Sequence, residues 1–220
     1  MARLPRLIVP GQAHYVIQRA HPAATIFRDA VDRASYLEAL QQASADQRVQ
    51  VLAYALLDEE VQLLLCPPTR EALSRTMQSL GRRYVSAYNR RHGTRGTLWD
   101  GRFRCGVLAP GAPLLAALVL IDGASAQPEA TSAAQRLGRT RPGLVTDPPE
   151  FWRLGNTPFD REAAYGHVLA QGLPPDDAAR LRHAALGGWS VGPPEFVAEV
   201  ATNAARPAWP RPRGRPALSR

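Results

Sequence analysis

The sequence lacks several features that would assign it to a common class of protein. Its 220 residues include only two cysteines, Cys66 and Cys105, which are too few for a disulfide framework. Its longest apolar run, 113–121, is too short to span a bilayer, and the first residues contain no apolar run of signal-peptide length. We therefore expect a cytoplasmic protein with no membrane partner.

Histidines are also few, and their spacing does not indicate a metal site. Neither cysteine has an obvious histidine partner, and the glycines are dispersed rather than gathered in a phosphate-binding loop. Composition and spacing alone therefore favour no class of enzyme. The five histidines are His14, His21, His92, His167 and His183.

Lysine is absent, so all 27 basic residues are arginines, and they outnumber 19 acidic residues to give a net charge of +8. A basic balance of this size favours a polyanionic partner, with nucleic acid first. Arginine suits phosphate because its planar guanidinium donates two hydrogen bonds at once. A GC-rich genome would explain the missing lysine, but it does not explain the net charge.

The hydrophobic pattern predicts alternating strands and helices in the first 125 residues. Their order predicts an α+β fold with a ferredoxin-like βαββαβ core and an antiparallel sheet. The expected elements are strand 14–19, helix 26–45, two strands within 49–66, helix 69–92 and strand 96–105.

The rest of the chain predicts a helical extension and a basic tail. We expect three segments: a core domain 1–130, an extension 131–205, and a disordered tail 206–220 rich in arginine and proline. Further helices are expected at 113–121, 161–171, 176–185 and 194–201.

The second strand of the 49–66 hairpin carries unusual polar residues. Side chains alternate between faces along a strand, so Glu60 and Gln62 share one face with Leu64, whereas Val61 and Leu63 point into a core. An acid and an amide side by side on an otherwise apolar strand indicate a functional position.

This stretch, LDEEVQLLL at 57–65, resembles the signature strand of single-tyrosine transposases, in particular the REP-associated tyrosine transposases of bacteria. The resemblance extends to GTLWDGRF at 96–103 and to GWSVG at 188–192. It implies the ferredoxin-like fold and a chemistry in which two histidines hold a divalent metal while a tyrosine attacks DNA. Here Glu60 and Gln62 stand at the histidine positions.

The tyrosine position of the family falls on Leu120 when residues are counted from Phe103. The resemblance therefore implies an inactive relative, with no catalytic residue, no cofactor and degenerate positions at Glu60, Gln62 and Leu120. In the simplest interpretation Glu60 lies in water at the hairpin tip and Gln62 is partly buried. Alternatively, these two residues and Asp58 offer oxygen ligands to Mg²⁺ or Mn²⁺, and another tyrosine attacks.

Clustered arginines are the candidate DNA contacts, because cations mixed with aromatic residues are typical of nucleic-acid surfaces. The tail contains PRGRP at 212–216, which looks like a minor-groove-binding AT-hook core. For any single arginine a solvated surface position is the better explanation, but the set together with the tail favours DNA binding. The candidates are Arg82, Arg83, Arg90, Arg91, Arg102, Arg104, Arg213 and Arg215.

Together these features predict a transposase-family protein that binds hairpin or single-stranded DNA without cleaving it. A homodimer is compatible with the sequence, which does not decide the oligomeric state. Three alternatives stand beside this hypothesis. In the first, the chain is an active strand-transfer enzyme with a substituted metal site. In the second it is a non-catalytic partner subunit of a related transposase, and in the third a product with no selected role.

Overall fold

The structure is a computed structural model that describes residues 5–22, 24–141, 143–204 and 206–210. The strands are β1 Ala13–Arg19, β2 Gln50–Leu56, β3 Glu60–Cys66, β4 Arg104–Leu108 and β5 Ser190–Val191. The α-helices are α1 Ala30–Asp46, α2 Arg70–His92, α3 Ala112–Asp122, α4 Ala133–Arg136, α5 Pro149–Trp152, α6 Pro158–Gln171, α7 Pro175–Gly187 and α8 Pro194–Ala204, and a 3₁₀ turn spans Pro128–Ala130.

The five strands form one open sheet in the order β2-β3-β1-β4-β5. The first four pair antiparallel in the ferredoxin-like arrangement, so the predicted α+β fold is confirmed. Beyond the predicted core, β5 from the C-terminal extension pairs parallel with β4 and adds a fifth strand at the edge of the sheet. The extension therefore contributes to the sheet itself.

The predicted fourth strand is displaced along the chain. We expected it at 96–105, but β4 begins only at Arg104. Gly96 and Gly101 adopt positive φ angles of 93° and 74°, which interrupt an extended chain, so residues before Arg104 form a loop. The first helix also begins later than predicted, at Ala30, because the Asp29 side chain accepts a hydrogen bond from the Asp32 amide and caps it.

Both faces of the sheet are buried. Helices α1 and α2 cover one face, where Val61, Leu63 and Leu65 enter the core as predicted. Helices α3 and α7 cover the other face, so Leu64 is fully buried there as well. The expectation of a partly buried Gln62 is corrected, because α7 covers its face and leaves only 3% of the residue exposed.

A buried guanidinium joins the C-terminal extension to this second face. Arg136, 1% exposed, donates to Asp122 Oδ2 at 2.6 Å and to the Leu52 carbonyl oxygen, and it pairs with Asp147 at 3.0 Å. The Tyr165 hydroxyl donates to the same Asp122 oxygen at 2.6 Å. Helices α3 and α6, strand β2 and the loop at Asp147 thus meet at the buried charge of Arg136. Such a charge stabilises a fold only when its partners are present.

The C-terminal segment is ordered further than expected. We predicted disorder from residue 206, but Ala208 is fully buried and its carbonyl oxygen accepts from the Ser190 amide at 2.8 Å. The prediction is therefore corrected for 206–210, while Arg213 and Arg215 lie outside the described residues. Within the described ranges, no helix is both long and apolar enough to cross a membrane.

Replacing Arg136 tests the buried charge network. Arg136→Leu leaves Asp122 buried without its cation, so we expect a loss of about 3–5 kcal/mol in the free energy of unfolding, measured by urea titration. Arg139→Leu removes an exposed arginine three positions away and should change stability by less than about 0.5 kcal/mol. Equal losses in the two variants would contradict the role assigned to Arg136.

Candidate nucleic-acid interface

An ion pair lies at the start of β3. The transposases that this sequence resembles hold a metal at the corresponding position. Arg182 of α7 donates to both carboxylate oxygens of Glu60, at 2.7 and 3.1 Å. The Glu60 side chain is only 12% exposed, which corrects the expectation that it lies in water at the hairpin tip. Burial opposes its ionisation, but the hydrogen bonds and charge of Arg182 outweigh burial and lower the pKa of Glu60.

Gln62 is held from two sides. Its Oε1 accepts a hydrogen bond from the Tyr15 hydroxyl at 2.7 Å, and its Nε2 donates to Glu60 at 2.7 Å. Burial raises the pKa of Tyr15 well above its ordinary value. Tyr15, Gln62, Glu60 and Arg182 therefore form one continuous hydrogen-bonded chain from β1 to α7.

This donor set does not fit a divalent metal. Both oxygens of Glu60 already face a guanidinium, and the only oxygen of the Gln62 side chain accepts from a phenol. Asp58, the third predicted ligand, is 76% exposed and pairs instead with Arg33. In the ranges given above, no group of three histidine, cysteine or acidic side chains is placed to hold a metal.

No displaced tyrosine stands free at this place. Tyr15, Tyr36, Tyr84 and Tyr165 are all at most 1% exposed, and Tyr88 is 3% exposed. Tyr84 and Tyr88 of α2 therefore belong to the core. Tyr54, the sixth tyrosine, is half-buried and packs against the core cluster on the other face of the sheet. Leu120, at the family's tyrosine position, is partly buried and packs against the apolar cluster beneath α3 and α7.

Arginines line a groove along the end of the sheet where β1 ends and β3 and β4 begin. Arg104 lies opposite Ile17 across β1, and Ile17 lies opposite Gln62, so these three residues share one face. Three adjoining clefts, which share Asp100, make up this arginine groove. Its arginines are Arg6, Arg19, Arg102, Arg104, Arg182 and Arg206.

The charge of the arginine groove is only partly compensated. Its six arginines stand against four carboxylates, Asp58, Glu59, Glu60 and Asp100. Glu60 neutralises Arg182 and lies 3.8 Å from Arg19. Arg102 and Arg104 are exposed and form no ion pair with any described residue. Their charges also repel Arg6, whose pKa is lowered first by burial and then by these two neighbours. The groove can therefore accept further negative charge.

The structure separates the arginines that the sequence grouped together. Only Arg102 and Arg104 line the groove, whereas Arg82, Arg83, Arg90 and Arg91 lie on α2, in the layer that covers the opposite face. Two of the α2 set are already paired: Arg83 with Asp46 at 3.0 Å, and Arg91 with Asp29 at 2.6 Å. Arg82 and Arg90 are exposed and remain predicted contacts.

Four groove arginines escaped prediction from the sequence. Arg182 lies on α7, which packs on β1 and β4, and its side chain reaches Glu60 of β3 across 122 positions of the chain. Arg6 and Arg206 come together from opposite ends of the chain, where the Arg206 guanidinium donates to the Pro5 carbonyl oxygen. Of these four, only Arg19 could have been found from the sequence, because the register of two adjacent strands places it opposite Glu60.

Comparison with solved structures identifies the fold. A REP-associated tyrosine transposase bound to a REP hairpin aligns with a TM-score of 0.52 at 10% identity, covering 68% of this chain and 93% of that one. This chain has the transposase fold. The resemblance detected in the sequence is therefore confirmed at the level of the fold.

The other comparisons give the fold assignment no further support. A candidate transposase from Deinococcus radiodurans aligns at 16% identity over 50% of this chain and 88% of that one, but its TM-score of 0.38 supports no argument. A comparison with protein-family models gives no match, and a comparison with curated proteins gives none either.

Replacing Arg182 tests the ion pair at β3. Arg182→Met leaves Glu60 without its partner, so we expect a loss of about 1–3 kcal/mol in unfolding free energy at neutral pH. The pKa of Glu60 is lowered below its ordinary 4.5 in the folded protein. The contribution is therefore present above 4.5 and lost as the pH falls through the lowered value.

Urea titrations at neutral pH and well below pH 4.5 measure this dependence. The control is Arg180→Met on the same helix, since Arg180 is 65% exposed and pairs only with Asp177. A destabilisation by Arg182→Met that is equally large at both pH values would contradict the proposed coupling.

Proposed function

We propose that this chain binds hairpin or single-stranded DNA in the arginine groove and does not cleave it. The observation that carries this proposal is the pair Arg102 and Arg104, which are exposed beside Arg19 and lack an acidic partner among the described residues. Guanidinium groups in this arrangement are suited to phosphate, because each can donate two hydrogen bonds in a fixed plane.

The choice of DNA rests on the fold as well as on charge. The structural neighbour that shares the transposase fold was solved with a REP hairpin. In this chain the groove lies at the end of the sheet and joins three adjoining clefts, which suits a strand rather than a compact anion. A net charge of +8 would further increase the rate of encounter with nucleic acid.

The absence of cleavage is proposed from the chemistry at the three family positions. A metal would compete with Arg182 for Glu60, and the Gln62 oxygen is occupied by Tyr15. Leu120 has no nucleophilic atom. Tyr15 is the tyrosine nearest to Glu60 along this hydrogen-bonded chain, but it is fully buried and its raised pKa keeps it protonated, so it is a poor nucleophile.

Arginine replacement tests DNA binding. Fluorescence anisotropy with a labelled single-stranded hairpin should give an affinity that falls with salt, with a log–log slope of about −0.7 for each phosphate bound. Arg102→Ala combined with Arg104→Ala should weaken binding about tenfold or more. The slope should also become less negative by about 0.7 for each phosphate that the double variant no longer neutralises.

The matched control is Arg139→Ala combined with Arg141→Ala. These arginines are equally exposed but lie after α4, in the segment that packs beside β2 at the opposite edge of the sheet. The control should bind within about twofold of the unchanged protein, because nonspecific removal of two charges has little effect. Equal weakening by both variants, or a flat salt dependence, would contradict binding in the groove.

A cleavage assay tests the second half of the proposal. The protein is incubated with 5′-labelled hairpin DNA in Mn²⁺, in Mg²⁺ or in EDTA, and products are separated on a denaturing gel. We expect intact DNA in every case and equal binding with and without metal. A nicked strand covalently attached to the protein would show that a tyrosine remains active and would overturn this proposal.

A further inference from the structure

One end of the arginine groove forms a cleft of about 410 Å³ with an unusual excess of positive charge. We call it the Arg6 cleft. Its walls come from the N-terminal segment, the loop before β4, the turn after α7 and the segment after α8. Four arginines line it, Arg6, Arg102, Arg104 and Arg206, against one carboxylate, Asp100.

Neutral groups hold two of these arginines in place. The Arg6 guanidinium lies over the Phe103 ring, 3.8 Å from its centroid, and also contacts the Phe103 carbonyl oxygen at 3.4 Å. Arg206 lies over Trp189 at 5.6 Å and donates to the Gly188 carbonyl oxygen at 2.9 Å. Aromatic rings and carbonyl groups fix a guanidinium without cancelling its charge. The cleft is therefore pre-organised and strongly cationic.

The Arg6 cleft is bridged on one side and continues into the next cleft on the other. Arg206 donates to the Pro5 carbonyl oxygen, so the segments from the two ends of the chain meet across it. In the other direction, Arg102 and Arg104 also line the next cleft, which continues to Arg19. A strand lying in the arginine groove would therefore end at Arg6 and not pass through.

The positive charge of the Arg6 cleft favours a terminal phosphomonoester over a phosphodiester. A phosphodiester within a strand carries one negative charge, whereas a terminal phosphomonoester carries about 1.5 to 2 near neutral pH and has three acceptor oxygens. Four arginines against one carboxylate match the doubly charged group better, and its extra oxygens would occupy guanidinium donors that have no described partner on Arg102 and Arg104.

We propose that the Arg6 cleft binds the terminal phosphomonoester of a DNA strand. The inference rests on the proposed function, because the rest of the strand lies in the groove described above. The ligand chemistry is a phosphate monoester at a strand end. Free inorganic phosphate offers the same chemistry and would compete for the same arginines.

Three otherwise identical oligonucleotides test this inference by anisotropy on the full chain: one with a 5′-phosphate, one with a 3′-phosphate and one with hydroxyl groups at both ends. We expect one phosphorylated form to bind about tenfold more tightly than the hydroxyl form, as for an added charge-assisted contact. Inorganic phosphate should reduce this advantage selectively. Equal affinity for all three forms would overturn the inference and leave the proposed function intact.

Arg6→Gln locates the effect, because Arg6 lines only this cleft among the groove's three parts. It should abolish the tenfold preference, measured as the ratio of the variant's own affinities for phosphorylated and hydroxyl-ended DNA. The Arg139→Ala, Arg141→Ala control should keep the preference. A preference that survives Arg6→Gln would overturn the site. If Arg6→Gln does not fold, competition by inorganic phosphate on the unchanged protein decides. If the unchanged protein binds none of the three oligonucleotides, the proposed function itself is overturned.

Discussion

Covering both faces of the sheet with helices limits where this chain can present polar groups. Helices α1 and α2 bury one face and α3 and α7 the other, so strand residues become accessible only at the ends and edges of the sheet. Side chains such as Gln62, which would face solvent on a one-sided sheet, must then satisfy their hydrogen bonds internally. The arginine groove lies where this cover ends.

The second helical layer stays in place through a charge as well as through apolar packing. Arg136 reaches Asp122 on α3, the Leu52 carbonyl oxygen on β2 and Asp147 in a loop, and Tyr165 of α6 shares the Asp122 oxygen. A buried charge is costly unless each partner is present, so these elements are constrained to one arrangement. One of these elements, α3, also packs against α7, the helix that carries Arg182.

The ion pair between Glu60 and Arg182 explains how β3 carries two polar side chains in a largely apolar layer. A carboxylate and an amide at the two family positions would be costly in an otherwise apolar layer without partners. Arg182 supplies charge and two hydrogen bonds to Glu60, and Tyr15 supplies a hydrogen bond to Gln62. Glu60, Gln62, Arg182 and Tyr15 thus form a compensated set: a protein cation stands against the carboxylate, and these side chains belong to the packing between α7 and the sheet.

Local sequence patterns determined much of the fold. Alternation predicted the hairpin of β2 and β3. The predicted helix 69–92 agrees closely with α2, because the Thr69 side chain caps its start and Gly93, at φ 64°, ends it. The apolar side chains Val61 and Leu63 entered the core as their spacing predicts. Each of these features depends on residues close in the chain, and so a single sequence suffices to predict them.

Only the tertiary structure decided the composition of the candidate site. Arg6 and Arg206 are adjacent although 200 positions separate them, Arg182 reaches Glu60 across 122, and the glycine turns that delay β4 bring Arg104 to the start of its strand. The α2 arginines looked equivalent in sequence, but acids of α1 and of the loop before it pair with two of them. Whether an arginine is neutralised or left free depends on which distant acid folds beside it, and no local pattern encodes that pairing.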